Sequence, residues 1–220
     1  MQPGSFTAPI SAALFLSLGA LTLHAQIVAV ESTFNPAGTY YSLPPDQTYG
    51  WRFSVGDTPI SVTHLGYFDA GLDGLTDSHQ VGIWDSAGTL MTQATVPAGT
   101  EGTLVSAYRF TLAAPATLEA NTTYYIGGLS PSASDTHIMF DAPQTYASQI
   151  TYDRATYSQL TGFASPNTPF SATHGVFGAN LQFTPVPEPH HYAMFTGLGL
   201  TGFFLVRRKM RSKTEHATVV

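Results

Sequence analysis

Tyr49-Gly50-Trp51-Arg52-Phe53-Ser54-Val55 places four large apolar residues at every second position, with glycine, a cation and a hydroxyl between them. That period of two belongs to a β-strand with one buried face. The same alternation recurs in His79-Gln80-Val81-Gly82-Ile83-Trp84, in Leu90–Val96, in Tyr108–Leu112 and in Thr123–Ile126. It returns in Val176–Phe183, where Phe177, Ala179, Leu181 and Phe183 share a face. Turn residues separate these runs at Gly56-Asp57, Ala70-Gly71, Ser86-Ala87-Gly88, Pro97-Ala98-Gly99 and Ala120-Asn121. No helical period of useful length interrupts them. Short strands at this spacing predict an all-β fold over residues 26–185, an antiparallel β-sandwich or jelly roll of about eight strands.

The chain has 220 residues, of which 43% are hydrophobic and only 10% charged, against about 25% charged in an ordinary globular domain. Such a surface rests on Ser, Thr, Gly, Asn and Gln, which suits an exported β-protein. There is no cysteine, so disulfides, thiolate catalysis and Cys-ligated zinc are excluded. Residues 26–185 hold three cations (Arg52, Arg109 and Arg154) against twelve carboxylates, a balance of −9. A nucleic-acid partner would need a basic face and is not expected. Five of the remaining charges, all basic, cluster at Arg207, Arg208, Lys209, Arg211 and Lys213.

Both ends read as addresses. Ile10 to Leu23 is an uncharged apolar run, too short to span a membrane but the right length for a signal-peptide core. The expectation is a signal peptide over residues 1–25, removed by a signal peptidase after Ala25. Near the other end, Tyr192–Val206 is a second uncharged run, roughly 22 Å long as a helix, leading into the basic cluster. A bilayer core is about 30 Å thick, so this single transmembrane helix needs snorkelling arginines or a thinned bilayer. Arg207, Arg208, Lys209 and Arg211 fix its cytoplasmic side, leaving 26–185 outside and 212–220 as a cytoplasmic extension. Just before it, the two prolines of Val186-Pro187-Glu188-Pro189 force an extended, accessible backbone.

This order of extended Val186-Pro187-Glu188-Pro189, short glycine-rich apolar helix and terminal basic cluster resembles the PEP-CTERM sorting signal, over residues 186–211. The resemblance implies recognition and processing by an exosortase-type membrane peptidase in a Gram-negative bacterium. The chain departs from the pattern at His190-His191-Tyr192 and in the nine residues after Arg211. Residues from Trp51 to Leu129 also resemble a domain common in PEP-CTERM proteins. Its marks here are Phe53-x-Val55-Gly56, Leu65-Gly66-x-Phe68-Asp69, Asp73-Gly74-Leu75, Ser78-His79-x-Val81-Gly82-Ile83-Trp84-Asp85 and Thr123-Tyr124-Tyr125-Ile126-Gly127. That likeness implies a β-sandwich ectodomain and brings no catalytic residues with it.

Within the domain, Asp69, Asp73 and Asp77 crowd one loop with glycines at 71 and 74. Side-chain and backbone oxygens at this density suit calcium, the candidate cofactor, although the spacing is not that of an EF-hand. The same residues equally suit Asx-turns in a solvated loop. His64, His79, His137 and His174 show no metal-ligand spacing, and His79 alternates with Val81 and Ile83 as a core residue would. Glu101, Asp141 and Asp153 are scattered carboxylates with no nucleophile elbow or zincin motif. Tyr146, Tyr152, Tyr157 and Phe163 fall in Gln144–Pro169, which reads as a long polar loop and offers rings for stacking on sugars. The sequence thus predicts an exported surface or matrix protein. Its ectodomain is a non-catalytic structural or adhesive module, tethered at the membrane and then released to the cell surface or medium. The alternative is a calcium-assisted module binding extracellular polysaccharide, and a secreted glycan hydrolase is third.

Overall fold

The computed structural model describes residues 25–32, 40–139, 145–170 and 175–186. The expectations for residues 1–24, Pro187, Glu188, Pro189, the 192–206 helix, Arg207, Arg208, Lys209, Arg211 and the 212–220 extension lie outside these. All regular structure among the described residues is β. In chain order the strands are β1 (Ile27–Val28), β2 (Val30–Glu31), β3 (Tyr40–Tyr41), β4 (Gln47–Val55), β5 (Ile60–Phe68), β6 (His79–Asp85), β7 (Leu90–Val96) and β8 (Thr103–Val105). They continue as β9 (Tyr108–Leu118), β10 (Thr123–Ser130), β11 (His137–Met139), β12 (Thr145–Tyr146), β13 (Ile150–Thr161), β14 (Thr168–Pro169), β15 (Val176–Phe177) and β16 (Ala179–Pro185).

Two sheets carry the long strands, ordered β1-β16-β5-β9-β8 and β14-β13-β4-β10-β6-β7, and every pairing in them is antiparallel. A three-stranded sheet, β15-β11-β3, and a two-stranded one, β12-β2, complete the set. One continuous core draws on both large sheets, with Trp51, Phe53, Val81, Ile83 and Ile126 from one and Ile60, Val62, Leu65, Leu181 and Phe183 from the other. The arrangement is therefore sandwich-like. Tyr49, Trp51, Phe53 and Val55 are all at most 2% exposed, so the alternation of residues 49–55 marks the core face of β4. The Trp51 indole N–H donates to the Ala179 carbonyl at 2.9 Å and ties the two sheets across the core.

Gln144–Pro169 is not a long loop. Residues 150–161 form β13, the longest strand, paired along β4 from Ile150↔Val55 to Tyr157↔Tyr49. A bulge between Tyr152 and Arg154 inserts Asp153 as an extra residue. Residues opposite the inward side of β4 are therefore Ile150 and Tyr152 before the bulge, and Ala155 and Tyr157 after it. The parity changes in mid-strand, and that change hides the alternation in the sequence. The aromatics of this stretch do not gather into one platform. Tyr146 and Tyr152 stack at 5.5 Å and both pack on Phe177, Tyr157 meets Phe170 edge-on, and Phe163 lies 5.0 Å from Trp84.

Candidate functional site

The acidic loop between β5 and β6 is where the sequence concentrates its candidate ligands, and the structure sends its carboxylates to separate tasks. Asp69 is 1% exposed at the end of β5. Its Oδ2 accepts from Arg109 Nε at 2.7 Å, and the Gly74 backbone N–H donates to both of its oxygens at 3.1–3.2 Å. Arg109, itself 7% exposed on β9, also donates to the carbonyls of Leu72, Thr100 and Gly102. One guanidinium thus clamps the 69–74 loop to the 100–102 turn. Gly74 adopts φ +113°, and a Cβ there would stand 2.9 Å from the backbone of Gly99, which pairs with Leu75. Leu72 lies in the left-handed region at φ +65°, unusual for a large residue, and Arg109 holds its carbonyl.

Asp77 instead accepts a short hydrogen bond from the Ser132 hydroxyl, and Asp73 is exposed on the loop tip. Among the described residues no three His, Asp or Glu side chains converge on a point that could hold a metal ion. The glycines at 71 and 74 serve the turn.

Behind this loop lies a polar network in the core. His79 Nδ1 lies 2.9 Å from the Leu129 carbonyl, which can only accept, so that nitrogen carries a proton. His79 Nε2 lies 2.8 Å from Asp135 Oδ2. Asp135 also accepts from the backbone N–H groups of Thr76 and Asp77, each at 2.9 Å, and so closes the end of the acidic loop. The His79 ring stacks on Tyr67 at 3.5 Å with 7° between planes, and the Tyr67 hydroxyl meets His137 Nε2 at 2.7 Å. His79, His137 and Tyr67 are fully buried. Burial is the main reason the Tyr67 hydroxyl is held far above its ordinary pKa.

Burial alone would raise the Asp135 pKa, but hydrogen bonds from His79, Thr76 and Asp77 outweigh it and hold the carboxyl below its ordinary value. A carboxyl depressed in the folded state stabilises above its unfolded pKa of about 3.9, and that contribution is lost as the pH falls through the folded value. Asp135→Asn is therefore expected to flatten the acid limb of a plot of urea midpoint against pH, chiefly below about pH 4. An unchanged acid limb would show that Asp135 binds its proton equally well folded and unfolded.

The remaining candidates stay apart. Glu101 and Asp153 are exposed, the first beside the edge strand of the five-stranded sheet and the second in the six-stranded sheet. His64 is partly exposed on β5, beside Thr63 and Gln26, and Asp141 and His174 lie outside the described residues. Sequence reasoning missed Arg109, Asp135, Tyr67 and Ser132. One signal was present for Arg109, a cation flanked by Tyr108 and Phe110 in a strand of a strongly acidic domain.

Fold and site together define an all-β module whose buried polar groups bind its own loops to its sheets. Residues 35–182 match the family described as Domain of unknown function (DUF4082), and the chain belongs to that family. No curated protein matches it in sequence.

Proposed function

We propose that the chain is an exported bacterial surface protein, with its β-sandwich serving as a non-catalytic structural or adhesive module of the extracellular matrix. The observation that carries the role is the enclosure of the His79–Asp135 and Tyr67–His137 pairs and of the Asp69–Arg109 pair, which crosslink loops and strands. Groups so placed rigidify a fold and have no opening toward a substrate.

The route to the surface rests on the two ends of the sequence, residues 1–25 and those from Val186 onward. A signal peptidase removes residues 1–25, the 192–206 helix holds the chain in the membrane, and Arg207, Arg208, Lys209 and Arg211 keep its tail inside. An exosortase-type peptidase then acts at Val186-Pro187-Glu188-Pro189. In support, the Val186 N–H donates to the Pro59 carbonyl at 2.8 Å, so the first residue of the motif directly follows β16. Mass mapping of surface-recovered protein is expected to find a C-terminal peptide ending near residue 189. Recovery of an intact C-terminus at Val220 would reject processing and leave a simple anchor.

A further inference from the structure

The outer face of the six-stranded sheet carries a second constellation. Cross-strand register sets Trp84 of β6 opposite Tyr125 of β10, Tyr125 opposite Arg52 of β4, and Arg52 opposite Arg154 of β13. These four residues make one row across four neighbouring strands. The row on one side is Gly82, Gly127 and Gly50, which leaves a trough. Phe163 and Pro166, from the segment after β13, close over it. A Cβ at Gly82 would come within 2.7 Å of the Phe163 ring, and one at Gly127 within 2.8 Å of Pro166. The row on the other side is Thr123, Ser54 and Thr151, where the Ser54 and Thr123 hydroxyls lie 2.9 Å apart. A strip of charge and aromatic ring therefore runs between an apolar wall and a line of hydroxyls.

Its charge is the informative part. Arg52 and Arg154 are two of the three cations in residues 26–185, and the third, Arg109, is buried. The β13 bulge places Asp153 between them. Its Oδ2 accepts from Arg52 and, at 3.2 Å, from Arg154. Exposed ion pairs add little to the stability of a fold, so stability does not account for gathering two guanidiniums on one carboxylate. What the cluster does create is a net positive spot on a body whose balance is −9.

We propose that this strip binds an anionic, uronate-bearing polysaccharide. Arg52 and Arg154 meet its carboxylates, the Tyr125 ring lies against the pyranose, and Ser54 and Thr123 bind hydroxyls. Arginine suits carboxylates through its paired N–H groups, and a flat ring beside hydroxyls suits a sugar. A denser polyanion such as nucleic acid is repelled by the rest of the acidic body. The inference rests on the extracellular reading above and gives the adhesive module its ligand class.

Affinity electrophoresis of the full-length chain in detergent, with polygalacturonate or dextran in the gel, tests it. Retardation is expected in polygalacturonate only, and it should weaken as salt is added. Arg52→Gln/Arg154→Gln should weaken binding by about tenfold or more, since hydrogen bonds between charged groups are the stronger kind. Asp153→Asn keeps both guanidiniums and removes the competing charge, so it should bind polygalacturonate at least as tightly as the parent. Equal retardation by dextran or by duplex DNA overturns the proposal. So does a double arginine variant that binds as the parent does. Should the double variant not fold, loss of binding in Asp153→Asn overturns it equally. A chain cut near residue 189 that ignores polygalacturonate rejects this site and leaves the sorting route standing.

Discussion

Arg109→Met is expected to destabilise the folded body by about 3–5 kcal/mol, the usual effect of removing one partner of a buried ion pair. Asp69 is 1% exposed and would keep only the Gly74 N–H as a partner for its charge. The clamp would be lost as well, because Arg109 also holds the carbonyls of Leu72, Thr100 and Gly102. Leu72 would then have less to keep it in the left-handed region. Lysine is a poor substitute, since an ammonium cannot reach several carbonyls and a carboxylate from a planar fork. The double variant Asp69→Leu/Arg109→Met removes both charges and should recover a substantial part of the loss, as buried pairs replaced by apolar groups often do. Urea denaturation of the two singles and the double gives the coupling directly. A single Arg109→Met costing under about 1 kcal/mol would mean that Asp69 is hydrated and the pair incidental.

The second large effect is expected at Trp51. The indole is fully buried against Phe53, Tyr152 and Phe177, and its N–H is the link to Ala179 across the core. Trp51→Ala opens a cavity at the meeting of the two sheets and leaves the Ala179 carbonyl without this donor. Aromatic-to-alanine changes in cores cost about 3–5 kcal/mol, and the orphaned acceptor places this one toward the upper end. Trp51→Phe keeps most of the volume and should cost clearly less. Equal losses in the two variants would show that the hydrogen bond to Ala179, rather than packing, dominates at this position.

The strands legible in the sequence are those whose alternation is unbroken. Tyr49, Trp51, Phe53 and Val55 in β4, and Ala179, Leu181 and Phe183 in β16, are apolar and buried at every second position, so period two reads directly. Strands β5 and β13 escape because each contains a register shift in mid-strand, between Val62 and His64 in one and Tyr152 and Arg154 in the other, whereas the shift in β7 falls at its first residues and that in β9 after Leu112. In β5 the core residues run Ile60, Val62, Leu65 and Tyr67, and a strict period of two fails at Thr63. A bulge is set by the partner strand, which a reading of local pattern does not contain. The acidic loop shows the same limit. Its position between strands is plain from glycine and aspartate, but Asp69 and Asp77 take their roles from residues far along the chain. Arg109 is 40 positions from Asp69, and Ser132 is 55 from Asp77. The outer-face row is likewise invisible until register aligns Trp84, Tyr125, Arg52 and Arg154.

The central claim is that the polar groups of this module serve its architecture, and the acidic loop is where that claim is most exposed. The direct measurement is a thermal melt of the full-length chain in detergent, in millimolar calcium and again in chelator. With Asp69 bound to Arg109 and Asp77 to Ser132, the two melting temperatures should coincide, and Asp73→Ala should change both equally. A cation held at about 100 times its dissociation constant would stabilise by roughly 2.7 kcal/mol, a rise of several degrees. Such a rise, abolished by Asp73→Ala, would contradict the account and make Asp69, Asp73 and Asp77 a calcium site.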